Sequence, residues 1–241
     1  MVRRITYASV IAFCVFMVFS MQAQGNRSVQ GEGAVVKQDL SLAAITGIDL
    51  LIAGHVTLTQ GSAQKVTVEA QQNIIDLLKR DVKDGVWHIG FDNNVNNYKS
   101  VNIYITLPSL EDVGLSGSGS ITSTNKFNKI NDLDLYLTGS GNISLDIEAK
   151  STEVELAGSG QINLKGLSTE LDIEIAGSGN VHAEELKADN CEVEISGSGD
   201  ASVHVDKKLT SRIAGSGDVE YSGSASVNSS IVGSGNVKKV N

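Results

Sequence analysis

Proline and cysteine are scarce in this sequence, and each scarcity excludes a class of structure. A single proline, Pro108, among 25 glycines is atypical of a disordered, proline-rich chain. It suits a protein made of strands, because proline cannot donate to a strand ladder. Of the two cysteines, Cys14 lies in the N-terminal apolar run, which leaves Cys191 without a disulfide partner. Stability must therefore come from packing and hydrogen bonds.

The chain also has no excess of basic residues, and its formal net charge is −9 at pH 7. A protein this acidic is not expected to bind the phosphates of a nucleic acid. The chain has 241 residues, of which 41% are hydrophobic, and this is enough for one large domain or two small ones.

The first 23 residues have the pattern of a secretory signal peptide. Arg3 and Arg4 precede an apolar stretch at residues 5–19, and Ala23 is the small residue at the expected cleavage site. A membrane anchor is the alternative, but this stretch is short for a bilayer span. We therefore expect an exported protein of the periplasm, the outer-membrane surface or the medium, with no transmembrane span in the mature chain. Residues 24–34 are expected to be flexible.

What the sequence does contain is a Gly-Ser-Gly triplet that recurs at spacings of 22, 19, 19, 20, 18 and 18 residues. Apolar and polar residues alternate on both sides of each triplet, which is typical of a strand with one buried face. We interpret the triplets as corners, because glycine allows the positive φ and the close backbone approach that a corner needs. The corner glycines are Gly117, Gly119, Gly139, Gly141, Gly158, Gly160, Gly177, Gly179, Gly197, Gly199, Gly215, Gly217, Gly233 and Gly235.

Seven copies in register predict an all-β fold, a single-stranded parallel β-helix with 18 to 22 residues per coil. Equivalent residues would stack in columns about 4.8 Å apart. One inward column is predicted to contain Leu115, Leu137, Leu156, Ile175, Ile195, Ile213 and Ile231. Cys191 falls in another inward column, where we expect a small buried hydrophobe.

The N-terminal third is less regular. Residues 45–59, 65–70 and 101–107 alternate as strands, residues 73–80 (NIIDLLKR) predict a short helix, and Asp84-Gly85 predicts a turn. We expect residues 35–112 to form irregular first coils and a cap, and residues 113–241 to form the seven repeats of the same domain. Such a cap would cover the open edge of the solenoid.

Three stretches resemble one protein family: GIDLLIAGHVTLTQG, NIIDLLKRDVKDGVWHIGF and VNIYITLPSLEDVGLSGSGSI, the last leading into the Gly-Ser-Gly coils. They are similar to the putative auto-transporter adhesin head GIN domain family of exported, Bacteroidota-type proteins, over residues 35–237. The resemblance implies a right-handed parallel β-helix like that of pectate lyases, without their catalytic residues. It also implies a role in cell adhesion.

The triplets do not match catalytic or phosphate-binding motifs. A phosphate loop needs a glycine turn that opens a helix, whereas each triplet here leads into a strand. A nucleophilic serine needs a nearby histidine and acid, and the four histidines show no paired spacing. A polysaccharide lyase would need clustered acids and a basic residue, for which arginine is scarce. We predict no enzyme activity and no cofactor.

The outward-facing acids form the candidate interaction site. Seven of them, called the acidic stripe, fall in two neighbouring columns: Asp134, Glu153, Asp172 and Glu192 in the first, and Glu155, Glu174 and Glu194 in the second. Stacked carboxylates would repel each other by roughly 1 kcal/mol per pair in water. The stripe is either a solvated face relieved by the flanking Lys150, Lys165 and Lys187, or a surface that recruits Ca²⁺ or a basic partner.

We predict a non-enzymatic protein for cell adhesion or surface interaction, with a glycan or a cell-surface protein as its partner. Two alternatives stay open. One is a structural envelope protein that self-associates end to end through the coil at residues 231–241. The other is a degenerate polysaccharide-binding or carbohydrate-active β-helix.

Overall fold

The computed structural model describes residues 28–240, and the predicted signal peptide at residues 1–23 lies outside them. Strand makes up 70% of the structure and helix 2%, so the chain is all-β, as the sequence predicts. The parallel strands stack into a β-solenoid of about seven turns, which confirms the predicted fold class. Within the described residues, no helix is long and apolar enough to cross a membrane.

The N-terminal part consists of short strands and one helix. They are β1 (Val29–Gln30), β2 (Val35–Leu40), β3 (Gly47–Leu50), β4 (His55–Gln60), β5 (Lys65–Gln71), α1 (Gln72–Ile75), β6 (Val82–Lys83), β7 (Val86–Ile89), β8 (Val95–Asn96) and β9 (Asn102–Leu107).

The repeats form longer strands that bend around the core. They are β10 (Asp112–Gly117), β11 (Ser120–Ser123), β12 (Phe127–Gly139), β13 (Asn142–Gly158), β14 (Gln161–Gly177), β15 (Asn180–Gly197), β16 (Asp200–Gly215), β17 (Asp218–Ser222), β18 (Ser226–Gly233) and β19 (Asn236–Lys239). Successive coils pair in parallel, and β13 keeps one register with β14 from Asn142 to Gly158.

The core is built from inward columns that follow this register. Leu137, Leu156 and Ile175 stack in successive coils, and each is at most 1% exposed. Cys191 pairs in register with Leu171 and Leu209 and is buried, so it packs as the small hydrophobe that the sequence predicts. The columns therefore supply most of the apolar burial that stabilises the solenoid.

The order of the first layers differs from the order of the chain. β3 pairs in parallel with both β7 and β10, and β4 pairs with both β9 and β11. The coil made of β3 and β4 therefore lies between the β7–β9 layer and the first repeat, although β7 and β9 follow it in sequence. Antiparallel strands close this end, because β5 pairs with β9 and with β2. Residues 29–30, in the segment expected to be flexible, pair in parallel with residues 95–96.

The predicted helix at residues 73–80 is wrong in length, since α1 ends at Ile75. Both Ile74 and Ile75 are fully buried. The next residues leave the helix because their backbone pairs elsewhere: Lys79 N–H donates to the Gly90 carbonyl at 2.9 Å, and the Lys79 carbonyl accepts from Trp87 Nε1 at 2.9 Å. Contacts with the β7 segment thus replace the last helical turns.

The coil that contains β18 is the most exposed part of the solenoid. Val227 and Ile231 expose 39% and 40% of their surface, whereas their register partners Leu209 and Ile213 are buried. Val232, which faces outward, exposes 74%. Apolar surface of this kind is compatible with the predicted end-to-end association. That association stays a prediction.

Candidate functional site

The first glycine of each triplet makes the corner. These glycines pair with one another from coil to coil, as Gly158 does with Gly177. Their φ angles run from 121° at Gly117 to 141° at Gly215, a region that side-chain-bearing residues rarely adopt. A Cβ at Gly177 would also collide with the Gly158 carbonyl of the preceding coil. Glycine is therefore required here by both conformation and space.

The second glycine is required by space alone. A Cβ on Gly179 would lie 2.7 Å from the Gly160 carbonyl oxygen and 2.7 Å from Leu156 Cδ2. Both neighbours belong to the preceding coil, so the two backbones approach too closely for any side chain. The triplets therefore fix the stacking of the solenoid.

The serine between the glycines contributes its backbone. Ser178 N–H donates to the Gly158 carbonyl at 2.8 Å, and Ser159 N–H donates to the Gly139 carbonyl at 2.8 Å. Both side chains are exposed, and no side-chain hydrogen bond is formed by them in the described structure. The corners are thus joined from coil to coil by backbone hydrogen bonds.

A polar side-chain ladder follows each late corner. Asn180 Oδ1 accepts from Asp200 N–H at 3.2 Å, Asp200 Oδ1 from Asp218 N–H at 2.9 Å, and Asp218 Oδ1 from Asn236 N–H at 2.8 Å. These acids bind backbone donors of the next coil, so their role is structural.

The acidic stripe lies on the face that leads into the corners. The register places Asp134, Glu153, Asp172 and Glu192 in one column, and Glu155, Glu174 and Glu194 in the next. All seven side chains are exposed. Six of them line a shallow depression of about 230 Å³ between the two columns. The strands thus present a straight, regular array of carboxylates.

Each column continues into residues that the sequence pattern did not indicate. Asp112 extends the first column by one coil, because it pairs with Asp134. In the second column Tyr136 precedes Glu155 and Arg212 follows Glu194. The Gly-Ser-Gly alignment places all three residues in the columns. Asp112 lengthens the acidic run of the first column, whereas Tyr136 and Arg212 end the acidic run of the second.

Little in the structure neutralises the stripe. Arg212 Nη1 bonds Glu192 Oε1, and this is the one salt bridge that a stripe residue makes among the described residues. None of the three flanking lysines makes a salt bridge with the stripe among the described residues. Lys165 lies 3.8 Å from Asp146, and neither Lys150 nor Lys187 has a salt bridge within the described part of the chain. The array therefore keeps most of its negative charge.

Two carboxyls of the first column have raised pKa values. Partial burial, followed by the charges of Glu192 and Glu170, raises the pKa of Asp172 above its usual value. Partial burial and the charges of Asp134 and Glu111 raise the pKa of Asp112 in the same way. Burial in the first place, and the neighbouring carboxylates in the second, therefore oppose ionisation of these two carboxyls.

Metal ligation needs donors that converge on one point. Across residues 28–240, no three His, Cys, Asp or Glu side chains come together in a group that could hold a metal ion. The carboxylates of the stripe lie side by side along the strands instead. Calcium binding on the stripe stays a prediction.

The histidines contact neighbours that the register supplies. His204 Nδ1 lies 2.9 Å from Ser222 Oγ, and its Nε2 lies 3.4 Å from Asp206 Oδ1. Ser222 is the partner of His204 in the adjacent coil, so the contact follows from stacking. The same contact recurs between His55 Nδ1 and Ser120 Oγ at 2.7 Å, again between register partners. Stacking thus accounts for both His–Ser pairs.

Comparison with known proteins gives one family and several related structures. The model of a family described as "Putative auto-transporter adhesin, head GIN domain" matches residues 44–225. A "putative adhesin" from Bacteroides fragilis NCTC 9343 is 25% identical, with a TM-score of 0.83, over 88% of this chain and 100% of that one. A "putative adhesin" from Parabacteroides distasonis ATCC 8503 is 26% identical, with a TM-score of 0.68, over 88% and 100% of the two chains.

A third structure shares the fold. It is a "Putative lipid binding protein" from Parabacteroides distasonis ATCC 8503, with a TM-score of 0.74 and 24% identity, over 89% of this chain and 100% of that one. No curated protein sequence matches the chain. The matched family and the two structures above are described as adhesins and not as enzymes.

Proposed function

Because this chain belongs to the putative auto-transporter adhesin head GIN domain family, we propose that it is an exported adhesin that binds a basic partner through the acidic stripe. The observation that carries the proposal is the array itself: seven exposed carboxylates in two straight columns, with one salt bridge among the described residues.

A solenoid suits this role because its outward residues repeat at a fixed spacing. Coils stack about 4.8 Å apart, so the stripe offers a rigid row of charges to a partner that also carries repeated charges. The partner we propose is a cationic surface of a glycan or of a cell-surface protein, which a field of one sign would attract and orient.

The experiment is adhesion of fluorescent beads coated with the protein to cultured cells. We expect wild-type beads to adhere above bare beads. Substituting Glu155, Glu174 and Glu194 by Gln should lower adhesion roughly tenfold, because three exposed charge contacts of ~0.5 kcal/mol each are lost.

The matched control removes the same charge elsewhere. Asp81, Asp84 and Asp92 are exposed and lie outside the stripe, so their replacement by Asn should leave adhesion unchanged. If the two triple variants lose adhesion equally, net charge and not the stripe drives binding. If wild-type beads adhere no better than bare beads, the proposed adhesion itself is wrong.

A further inference from the structure

A groove of about 620 Å³ lies at one corner of the solenoid, and the sequence did not indicate it. Its floor is the column of Ala149, Ser168 and Ala188, which stack in register in successive coils. These residues are small, so the coils are indented at this corner. The groove runs along the solenoid axis and is open to solvent, which is the shape that a chain-like ligand requires.

Three lysines surround the groove: Lys129, Lys150 and Lys187. All three side chains are exposed, and none makes a salt bridge or a side-chain hydrogen bond among the described residues. They belong to β12, β13 and β15, so they span three coil steps, or about 14 Å at about 4.8 Å per step. Lys150 follows and Lys187 precedes the floor column along the chain, so the two lysines flank the groove on opposite sides. In a protein with a net charge of −9, three cations without a salt bridge around one groove are a local exception.

Two of the acids at the groove have a basic side chain close to them. Asp189 Oδ2 accepts from Lys207 Nζ at 2.8 Å, and Asp206 Oδ1 lies 3.4 Å from His204 Nε2. Glu148, which makes no salt bridge among the described residues, lines the same groove with the amide of Asn131 and the hydroxyl of Thr169. The lining therefore combines cations for an anion with neutral and acidic groups that hydrogen-bond hydroxyls.

A local distortion brings the first lysine to the rim. The register between β12 and β13 shifts between Phe127 and Ile130, and Lys129 has a φ of 62°. Left-handed φ is uncommon for a lysine and strains the backbone. Bulges of this kind re-aim side chains in a sheet.

We propose that this groove binds an acidic polysaccharide, with the lysines on its carboxylates and the polar lining on its hydroxyls. Leu167, 45% exposed at the same groove, offers an apolar contact to the face of a sugar ring. This site lies at the corner that precedes the acidic stripe and does not depend on the stripe. The proposal for the groove and the proposal for the stripe can therefore be tested separately.

The test is binding of polygalacturonate to the purified protein, measured by calorimetry. We expect binding that weakens as NaCl rises, because the contacts are exposed charges. Substituting Lys129, Lys150 and Lys187 by Gln should weaken it roughly tenfold, since each exposed charge contact contributes a few-fold. The double variant K150E/K187E should weaken it at least as much, and it leaves the strained Lys129 in place.

The controls separate the groove from general charge. Lys83, Lys99 and Lys239 are exposed and lie away from the groove, so replacing them by Gln should change binding less than twofold. Equal loss in this variant would overturn the proposal, as would absence of polygalacturonate binding by the wild type. Polyacrylate carries carboxylates but no hydroxyls, and we expect it to bind more weakly. Equal binding of polyacrylate would show that the groove does not recognise a sugar.

Discussion

Replacing Gly177 by Ala should destabilise the protein by about 3–5 kcal/mol, the largest effect we expect from a single substitution. The φ of Gly177 is 128°, where an L-residue is strained, and the new Cβ would collide with the carbonyl of Gly158. That carbonyl belongs to a coil held on both sides, so it has no room to move away. Chemical denaturation with a circular-dichroism readout measures the loss.

The neighbouring serine is the matched control. Ser178 is exposed, and its contribution to the corner is its backbone N–H, which Ala also provides. Ser178→Ala should therefore change the free energy of unfolding by less than about 0.5 kcal/mol. A tolerated Gly177→Ala, or a Ser178→Ala as damaging as the glycine variant, would contradict the structural role of the triplet.

Replacing Glu155, Glu174 and Glu194 by Gln should stabilise the protein by about 1–2 kcal/mol at low ionic strength. The substitution removes two stacked repulsive pairs, each worth roughly 0.9 kcal/mol at about 4.8 Å in water. It also removes the attraction between Glu194 and its register partner Arg212, which offsets part of the gain. Thermal denaturation at 10 mM and at 1 M NaCl measures the effect.

The salt series provides the control. At 1 M salt the Debye length is about 3 Å, which is shorter than the spacing of the stacked carboxylates, so the gain should disappear. Glu174→Gln alone removes the same two pairs without touching the neighbour of Arg212, and should stabilise at least as much. A gain that persists in high salt would mean that the effect is not electrostatic. If Ca²⁺ binds the stripe, it should raise the Tm of the wild type but not that of the triple variant.

The contribution of Asp172 to the stability of the protein should depend on pH. Because the pKa of Asp172 is raised in the folded state, its ionised form opposes folding, and this cost is present above the folded pKa. As pH falls through that pKa toward 3.8, the folded protein takes up the proton first and the cost disappears. The stabilising effect of Asp172→Asn at neutral pH should therefore shrink in this range. An effect independent of pH would contradict the raised pKa.

The repeat alone was sufficient to predict the solenoid. A corner glycine constrains both φ and the distance between coils. Because Gly-Ser-Gly recurs in every repeat, its positions determine which residues of successive coils pair with each other. The alternation around it then fixes which residues face in, and the columns through Leu156 and Glu174 follow by counting. The prediction succeeded because every coil has the same corner and the same alternation of inward and outward residues.

The parts that sequence reasoning missed depend on contacts between unlike segments. The β3–β4 coil lies between layers formed by later residues, and no local pattern encodes that order. The helix ended early because Lys79 pairs with Gly90 and Trp87, which lie beyond the span of a helical hydrogen bond. The lysine groove arises from Ala149, Ser168 and Ala188 at a variable return, where the repeats differ in length and hide the column.

The central claim is that the corner glycines fix the stacking of the coils and that the acidic stripe contacts the partner. Carboxyl labelling with carbodiimide and glycine ethyl ester, on protein bound to cells and on free protein, tests it most directly. We predict that cell binding slows labelling of Glu155, Glu174 and Glu194 and leaves labelling of Asp81, Asp84 and Asp92 unchanged. Equal labelling of the stripe in the bound and the free protein would contradict the account.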